Sequence, residues 1–417
     1  MNIVRRLLSS SSGGSIEGAA GGLENEAGDQ SISSSSLEYS ATPVKTPEQE
    51  LLGLNHLKKL HSEYTRQSFN LSQASDKETK LYAMLPLFCN VFSSVAPKVI
   101  SEKFKDEIDA FTIAISRLLV TEVRRRASNQ STEAAAAAIA TFMEVEVGGN
   151  GGQGWHLLSS LSLLVNEGDA QAELMTSASL PSTLVKCLYL FFDLPSIPDD
   201  EASGGTDENS KKEEYSAKER RLLLQKLFIQ VLMKLCTYQP AVEELARKDD
   251  LTLLFSAITS ECPPHNVMWR KTSADILLTI SRHSLSQPVI SYLHGKGCIS
   301  LCVENMQKCK GYPVTPLEIV EMFVTVFCFL KDSTSSASSE TLLEDFRTCQ
   351  GYIFLSEFLL NVDQKDEESR EALRNLVLLV ASLTFCGHIE LKIPSTLTSS
   401  STLYQMESFE IPEPINR

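Results

Sequence analysis

One short apolar pattern occurs four times in this 417-residue chain, and it restricts the fold to a stacked helical array. A large apolar residue is followed six residues on by a second and seven further on by a third. The copies are Leu174/Leu180/Cys187, Leu245/Leu251/Ile258, Leu293/Ile299/Met306 and Phe346/Tyr352/Leu359. They begin 71, 48 and 53 residues apart, and the first interval contains an acidic insert at 195–217; without its 23 residues that interval is also 48. A period of roughly 40–50 residues in helical text is that of armadillo or HEAT repeats, whose units cannot bury their own apolar faces and stack to do so. Such arrays offer long surfaces to partners and seldom build an active site.

The text around the anchors is helical throughout. Thr46 as a cap, Pro47 in the first turn and Gln49 three residues after Thr46 open a helix with the stripe Leu51, Leu54, Leu57, Leu60, Tyr64. Ser75 and Glu78 open a second, and helices are expected at about 98–126 and 132–147. Gly148–Gly154 reads as a flexible connector: it lacks the Gly-Lys-Ser/Thr ending and preceding strand of a phosphate cradle. Further helices are expected at 155–167, 170–177 and 181–194. Ser216 and Glu219 form a capping box that opens a long helix at 218–238. Breaks are expected at Gln239-Pro240, Pro263-Pro264, Gln287-Pro288, Gly311–Thr315 and Ser333–Ser339. Strand-like alternation is nearly absent. The expected architecture is therefore an all-α, armadillo/HEAT-like α-solenoid of about fifteen helices. Residues 1–45 are expected to be a disordered segment, 46–387 the repeat array with its disordered acidic insert at 195–217, and 388–417 a loose tail.

Charge and cysteine usage narrow the function classes. Lys+Arg 38 against Asp+Glu 53 gives −15, which disfavours a general nucleic-acid surface because phosphates need a basic face. The ten cysteines lie scattered in apolar helical runs and read as buried free thiols in a reducing compartment. No apolar run approaches the roughly 20 residues of a membrane span; the strongest, Leu222–Cys236, is interrupted by Gln225, Lys226, Gln230 and Lys234.

Candidate chemistry is sparse. His294, Cys298 and Cys302 share a helix face and, with Cys309, form the one metal-like cluster, since imidazole and thiolate are zinc's preferred ligands. No Cys-x-x-Cys pair supports it, so buried core thiols are the better reading, and no metal or other cofactor is expected. The seven histidines stand in no hydrolase or zincin frame, and Asp249-Asp250 reads as a helix-start capping pair, so no catalytic residue is assigned and no enzyme expected. Arg124, Arg125 and Arg126 close a helix, where cations complement the dipole. They also precede Ser128 as basophilic kinases require, making Ser128 a candidate phosphosite. Trp269, Arg270 and Lys271, with the arginine triplet, are the candidate basic contact patch for an acidic partner or lipid headgroup.

Several collinear blocks resemble one family. They are Leu180–Pro195 (LPSTLVKCLYLFFDLP), Arg117–Ala135, Lys248–Pro264, Trp269–His283, Pro316–Phe323, Cys328–Ser333 and Thr341–Leu355, with MNIVRR and Leu51–Leu60 nearer the start. Together they resemble the N-terminal region of the BEACH family's autophagy-linked, WD repeat and FYVE domain-containing branch, across most of 46–386. The resemblance implies a cytoplasmic scaffold, peripheral to autophagic or endosomal membranes and with a nuclear fraction. It would serve selective autophagy of protein aggregates and membrane trafficking, and its partners would be autophagy or trafficking adaptor proteins. In that family PH-BEACH, WD40 and FYVE modules lie near the C-terminus. This sequence carries no FYVE zinc motif and no Trp-Asp blade repeat, so membrane association would pass through modules absent here and no functional residue carries over. The helical text ends abruptly in CGHIELKIPSTLTSSS, which suggests a fragment, a truncated gene model or a short splice form. Two alternatives are a paralogous scaffold of the family in vesicle trafficking and antigen handling, and a metal-dependent hydrolase without recognisable motifs.

Overall fold

The computed structural model describes residues 105–146, 152–197, 215–309, 314–336, 340–362 and 367–384, together with residues 78, 81, 82, 85, 86, 88 and 89. The expectations for 1–45, the helix opening at Thr46, most of the acidic insert and the 388–417 tail lie outside them. Helices α1 (Lys105–Ala127) and α2 (Thr132–Met143) lead into a recurrent set of three helices. Long helices α3 (Gln153–Val165), α6 (Ala217–Cys236), α9 (Val267–His283), α12 (Pro316–Ser336) and α15 (Glu367–Thr384) pack side by side in one row. Short helices α4 (Asp169–Ser177), α7 (Gln239–Arg247), α10 (Gln287–Gly295) and α13 (Thr341–Thr348) form a second row. Helices α5 (Leu180–Leu190), α8 (Leu251–Thr259), α11 (Cys298–Lys308) and α14 (Gly351–Asn361) form the third. No strand occurs among the described residues, and the chain is an all-α solenoid.

Each short helix turns into the next helix in the same way. Ser179, Asp249, Gly297 and Gln350 all sit in the left-handed region, with φ of 63°, 64°, 64° and 64°. Their amides donate to Thr176, Ala246, His294 and Arg347, and the preceding amides reach back four residues, a left-handed helix stop repeated four times. Four residues before each turn lies a fully buried apolar side chain: Met175, Leu245, Leu293 and Phe346. The turns succeed one another at 70, 48 and 53 residues. The first copy of the sequence pattern is therefore out of register by one residue. Met175, not Leu174, holds the anchor place, and Leu174 is only half buried. Its successors in register are Pro181 and Leu188, while Leu180 and Cys187 are buried too because α5 is enclosed on nearly all sides.

Proline placement departs from the expected breaks. Gln239-Pro240 and Gln287-Pro288 are not gaps; they open α7 and α10. Proline lacks the amide that a first helical turn leaves unpaired anyway. Pro264 opens a 3₁₀ turn, Pro264–Asn266, and α12 runs on to Ser336. The last glycine of Gly148–Gly154 belongs to α3: a Cβ on Gly154 would stand 2.1 Å from the Phe142 carbonyl oxygen. That position holds α2 and α3 in close contact, so the connector reading fails there.

One apolar core runs through the rows. It holds aromatic clusters that span neighbouring repeats: the Phe191 ring lies tilted 4.6 Å from Trp269, Phe228 meets Trp269 edge-on at 6.0 Å, and Phe327 meets Phe346 at 4.9 Å.

Candidate interaction surface

The turn edge of the solenoid carries a polar ladder that follows from the repeated stop. At two of the turns the residue before the left-handed position projects back onto the left-handed residue of the preceding repeat. Lys248 Nζ donates to Ser179 Oγ at 2.7 Å, and Lys296 Nζ lies 3.1 Å from Asp249 Oδ1. The Tyr292 hydroxyl also donates to Asp249, and its pKa rises well above the ordinary phenol value through burial and that carboxylate. The Tyr292 and Lys296 hydrogen bonds hold the Asp249 carboxyl below its usual range. One repeat further, His294 Nδ1 pairs with Asp345 Oδ1 at 2.8 Å. Asp249-Asp250 is thus no capping pair: neither carboxylate caps α8. Asp250 is buried and meets Lys186 of α5 at 3.2 Å.

The long-helix row is pinned by polar contacts set inside the core. Gln225 Nε2 of α6 donates to the Met268 carbonyl at 3.0 Å and to Thr272 Oγ1 at 2.9 Å. Arg270 of α9 is 2% exposed and meets Glu318 of α12 at 2.8 Å, with Glu321 at 3.9 Å. Trp269 is wholly buried between Phe191 and Phe228, and Lys271 is half-buried. The expected Trp269/Arg270/Lys271 contact patch is therefore corrected: two of its three members belong to the core. They sit on the face of α9 that meets its neighbours, so the basic text Trp-Arg-Lys marks a buried ion pair.

The Arg124–Arg126 triplet is a surface feature with internal ties. Glu122, nearly buried, accepts from Arg125 Nη2 at 2.7 Å and from Arg126. The Arg126 guanidinium lies 3.7 Å from the centroid of the Phe142 ring on α2. Arg124, Arg125 and Ser128 are exposed, and the Ser128 hydroxyl donates to the Arg124 carbonyl at 2.7 Å.

The metal-like cluster is not assembled. His294 faces Asp345, whereas Cys302 Sγ lies 3.6 Å from the Phe255 carbonyl and Cys309 Sγ 3.6 Å from that of Thr259. Among the described residues no group of three His, Cys, Asp or Glu is placed to hold a metal ion. The nine described cysteines are free thiols, seven of them buried. Burial pushes the Cys187, Cys236 and Cys328 thiols up to about 12, so they stay protonated and poorly nucleophilic at neutral pH.

Among the described residues no single helix is long and apolar enough to cross a membrane; α4 and α5 pass only as a pair, and that pair is bent by 74°.

Two curated proteins of one name are similar to this chain. The Mus musculus WD repeat- and FYVE domain-containing protein 4 is 26% identical over 336 residues, covering 80% of this chain and 10% of that protein. The Homo sapiens protein of the same name is 28% identical over 258 residues, covering 62% of this chain and 7% of that protein. The chain spans a tenth or less of the length of these curated relatives. The resemblance carried by the sequence blocks is thereby shown. No protein-family model matches the chain, and no solved structure matches it.

Proposed function

Starting from that relationship to the WD repeat- and FYVE domain-containing proteins, we propose that this chain is a non-enzymatic scaffold segment of a BEACH-family protein. It acts in selective autophagy of protein aggregates and in membrane trafficking. The observation that supports the scaffold reading is where the chemistry-bearing side chains go. Asp249, Tyr292, Lys296, His294, Asp345, Arg270 and Glu318 each join one repeat to the next. Residues so engaged fix the relative position of repeats, as a surface that seats several partners along its length requires. Its partners are adaptor proteins rather than nucleic acid, consistent with the net charge of −15. It works in the cytoplasm, and contact with membranes passes through PH-BEACH and FYVE modules of a longer protein.

Proximity labelling with the whole chain tests the reading. Recovery of autophagy or trafficking adaptors above a scrambled-charge control is the expected result; labelling confined to chaperones would sink it. Both named relatives are the same paralogue, which favours testing a second reading of the same class: a vesicle-trafficking and antigen-handling scaffold. Enrichment of endosomal over autophagosomal adaptors in the same experiment selects it.

A further inference from the structure

Two segments of the chain place basic residues two and three positions before a serine. One is Arg125-Arg126-Ala127-Ser128, the other Arg270-Lys271-Thr272-Ser273. The sequence does not separate them, but the fold does. Ser273 is fully buried, donates to the Trp269 carbonyl at 3.0 Å, and its Arg270 is held in the core by Glu318. Ser128 is exposed, lies one residue past the end of α1, and is followed by Asn129 in the left-handed region with φ 60°. The last turn of a helix is the part that opens most readily, because its carbonyls lack intrahelical partners.

We propose that Ser128 is a phosphoacceptor for basophilic protein kinases and that Glu122 gates it. A kinase must draw Arg125 and Arg126 into its own acidic pockets. Glu122 competes for both, and the Phe142 ring holds the second. In the transfer, Ser128 Oγ attacks the γ-phosphorus of the kinase's Mg-ATP and the bond to the β–γ bridging oxygen breaks. ADP leaves, and the hydroxyl proton passes to the kinase's catalytic carboxylate. The product carries about −1.5 to −2 charges at neutral pH, four residues from Arg124 and three from Arg125. The phosphate then competes with Glu122 for Arg125. It acts on the α1–α2 connection, far along the chain from α15.

The test is phosphorylation of the folded full chain by the catalytic subunit of a cyclic-AMP-dependent kinase, with peptide mapping by mass spectrometry. One phosphate on Ser128 is expected, absent in S128A, while Ser273 stays unmodified. R125Q should slow the reaction about tenfold, the value of one charge-assisted contact. E122Q should speed it about two- to fivefold, because it frees partly exposed arginines. Continued protection of Ser273 in E122Q shows that this variant is folded. The proposal is overturned if Ser273 is modified in preference to Ser128. It also fails if Ser128 reacts only after heat denaturation, or if E122Q is no faster than the native chain.

Discussion

At the scale of single residues the left-handed stops govern the fold, and only one of the four, Gly297, has the residue type that advertises itself. Ser179, Asp249 and Gln350 adopt the same φ with a side chain, at a cost of about 1–2 kcal/mol each. Gln350→Gly should therefore stabilise the chain by about 0.5–1 kcal/mol, after allowing for glycine's larger loss of backbone freedom. The urea midpoint should rise, and a fall would show that the Gln350 side chain has another role. The next residue behaves oppositely. A Cβ on Gly351 would meet the Phe346 ring at 2.6 Å, and Phe346 is fully buried. Gly351→Ala should cost about 1–3 kcal/mol by overpacking, measured in the same denaturation. The thiols follow burial. In the native chain at pH 8, Cys309 and Cys349, only half-buried, should react with a disulfide reagent before Cys187, Cys236 or Cys302. Equal rates would contradict the packing described.

At the scale of helices, ends carry more than capping. Ser216 and Glu219 form a complete capping box at α6, with the amides of Glu219 and Ser216 each satisfied by the other's side chain. That box was legible in the sequence because both halves are local. Thr315 and Glu318 repeat it at α12. Here Glu318 also receives Arg270 of α9, so one carboxylate caps a helix and ties two repeats. Glu318→Gln should cost about 2–3 kcal/mol, because it leaves a buried guanidinium with a weaker partner. Burial raises the Glu318 pKa, but the Thr315 amide and Arg270 outweigh it, and the net shift is downward. A depressed carboxylate stabilises the fold fully above its unfolded value and loses that contribution as pH falls through the folded value. The stability gap between native chain and Glu318→Gln should therefore shrink on acidification through that window. A gap independent of pH would rule the ion pair out as its source. None of the Arg270–Glu318 pairing was visible in the sequence, where Trp269-Arg270-Lys271 reads as a basic contact spot.

At the scale of the molecule, stability in a solenoid is a sum of repeats and of the contacts between neighbours, so ends should open before the middle. Helices α6, α9 and α12 each pack a long helix on both sides, whereas α15 has one described long neighbour, α12. Hydrogen exchange should be slowest in α9 and markedly faster in α15, with protection declining along the row. A single uniform exchange rate would mean that the array unfolds as one unit.

The helical text, its period and the Ser216–Glu219 capping box follow from the sequence, because amphipathic spacing and end signals act over a few residues. The four-fold anchor pattern found the stacking unit, whereas the expected breaks at Gln239-Pro240 and Gln287-Pro288 are helix starts. The pattern missed the register of its first copy. Leu174 and Met175 are adjacent and both apolar, and only the left-handed turn at Ser179 decides which faces the core. Which polar groups are surface and which are buried was set by tertiary structure alone. Asp249 reaches Lys296 and Tyr292 of the following repeat, and Arg270 reaches Glu318, each across more than 40 residues of chain. No local rule encodes such pairs, because they exist only once neighbouring repeats have stacked. The same stacking leaves Ser128 open and closes Ser273, although both follow the same kind of basic residues.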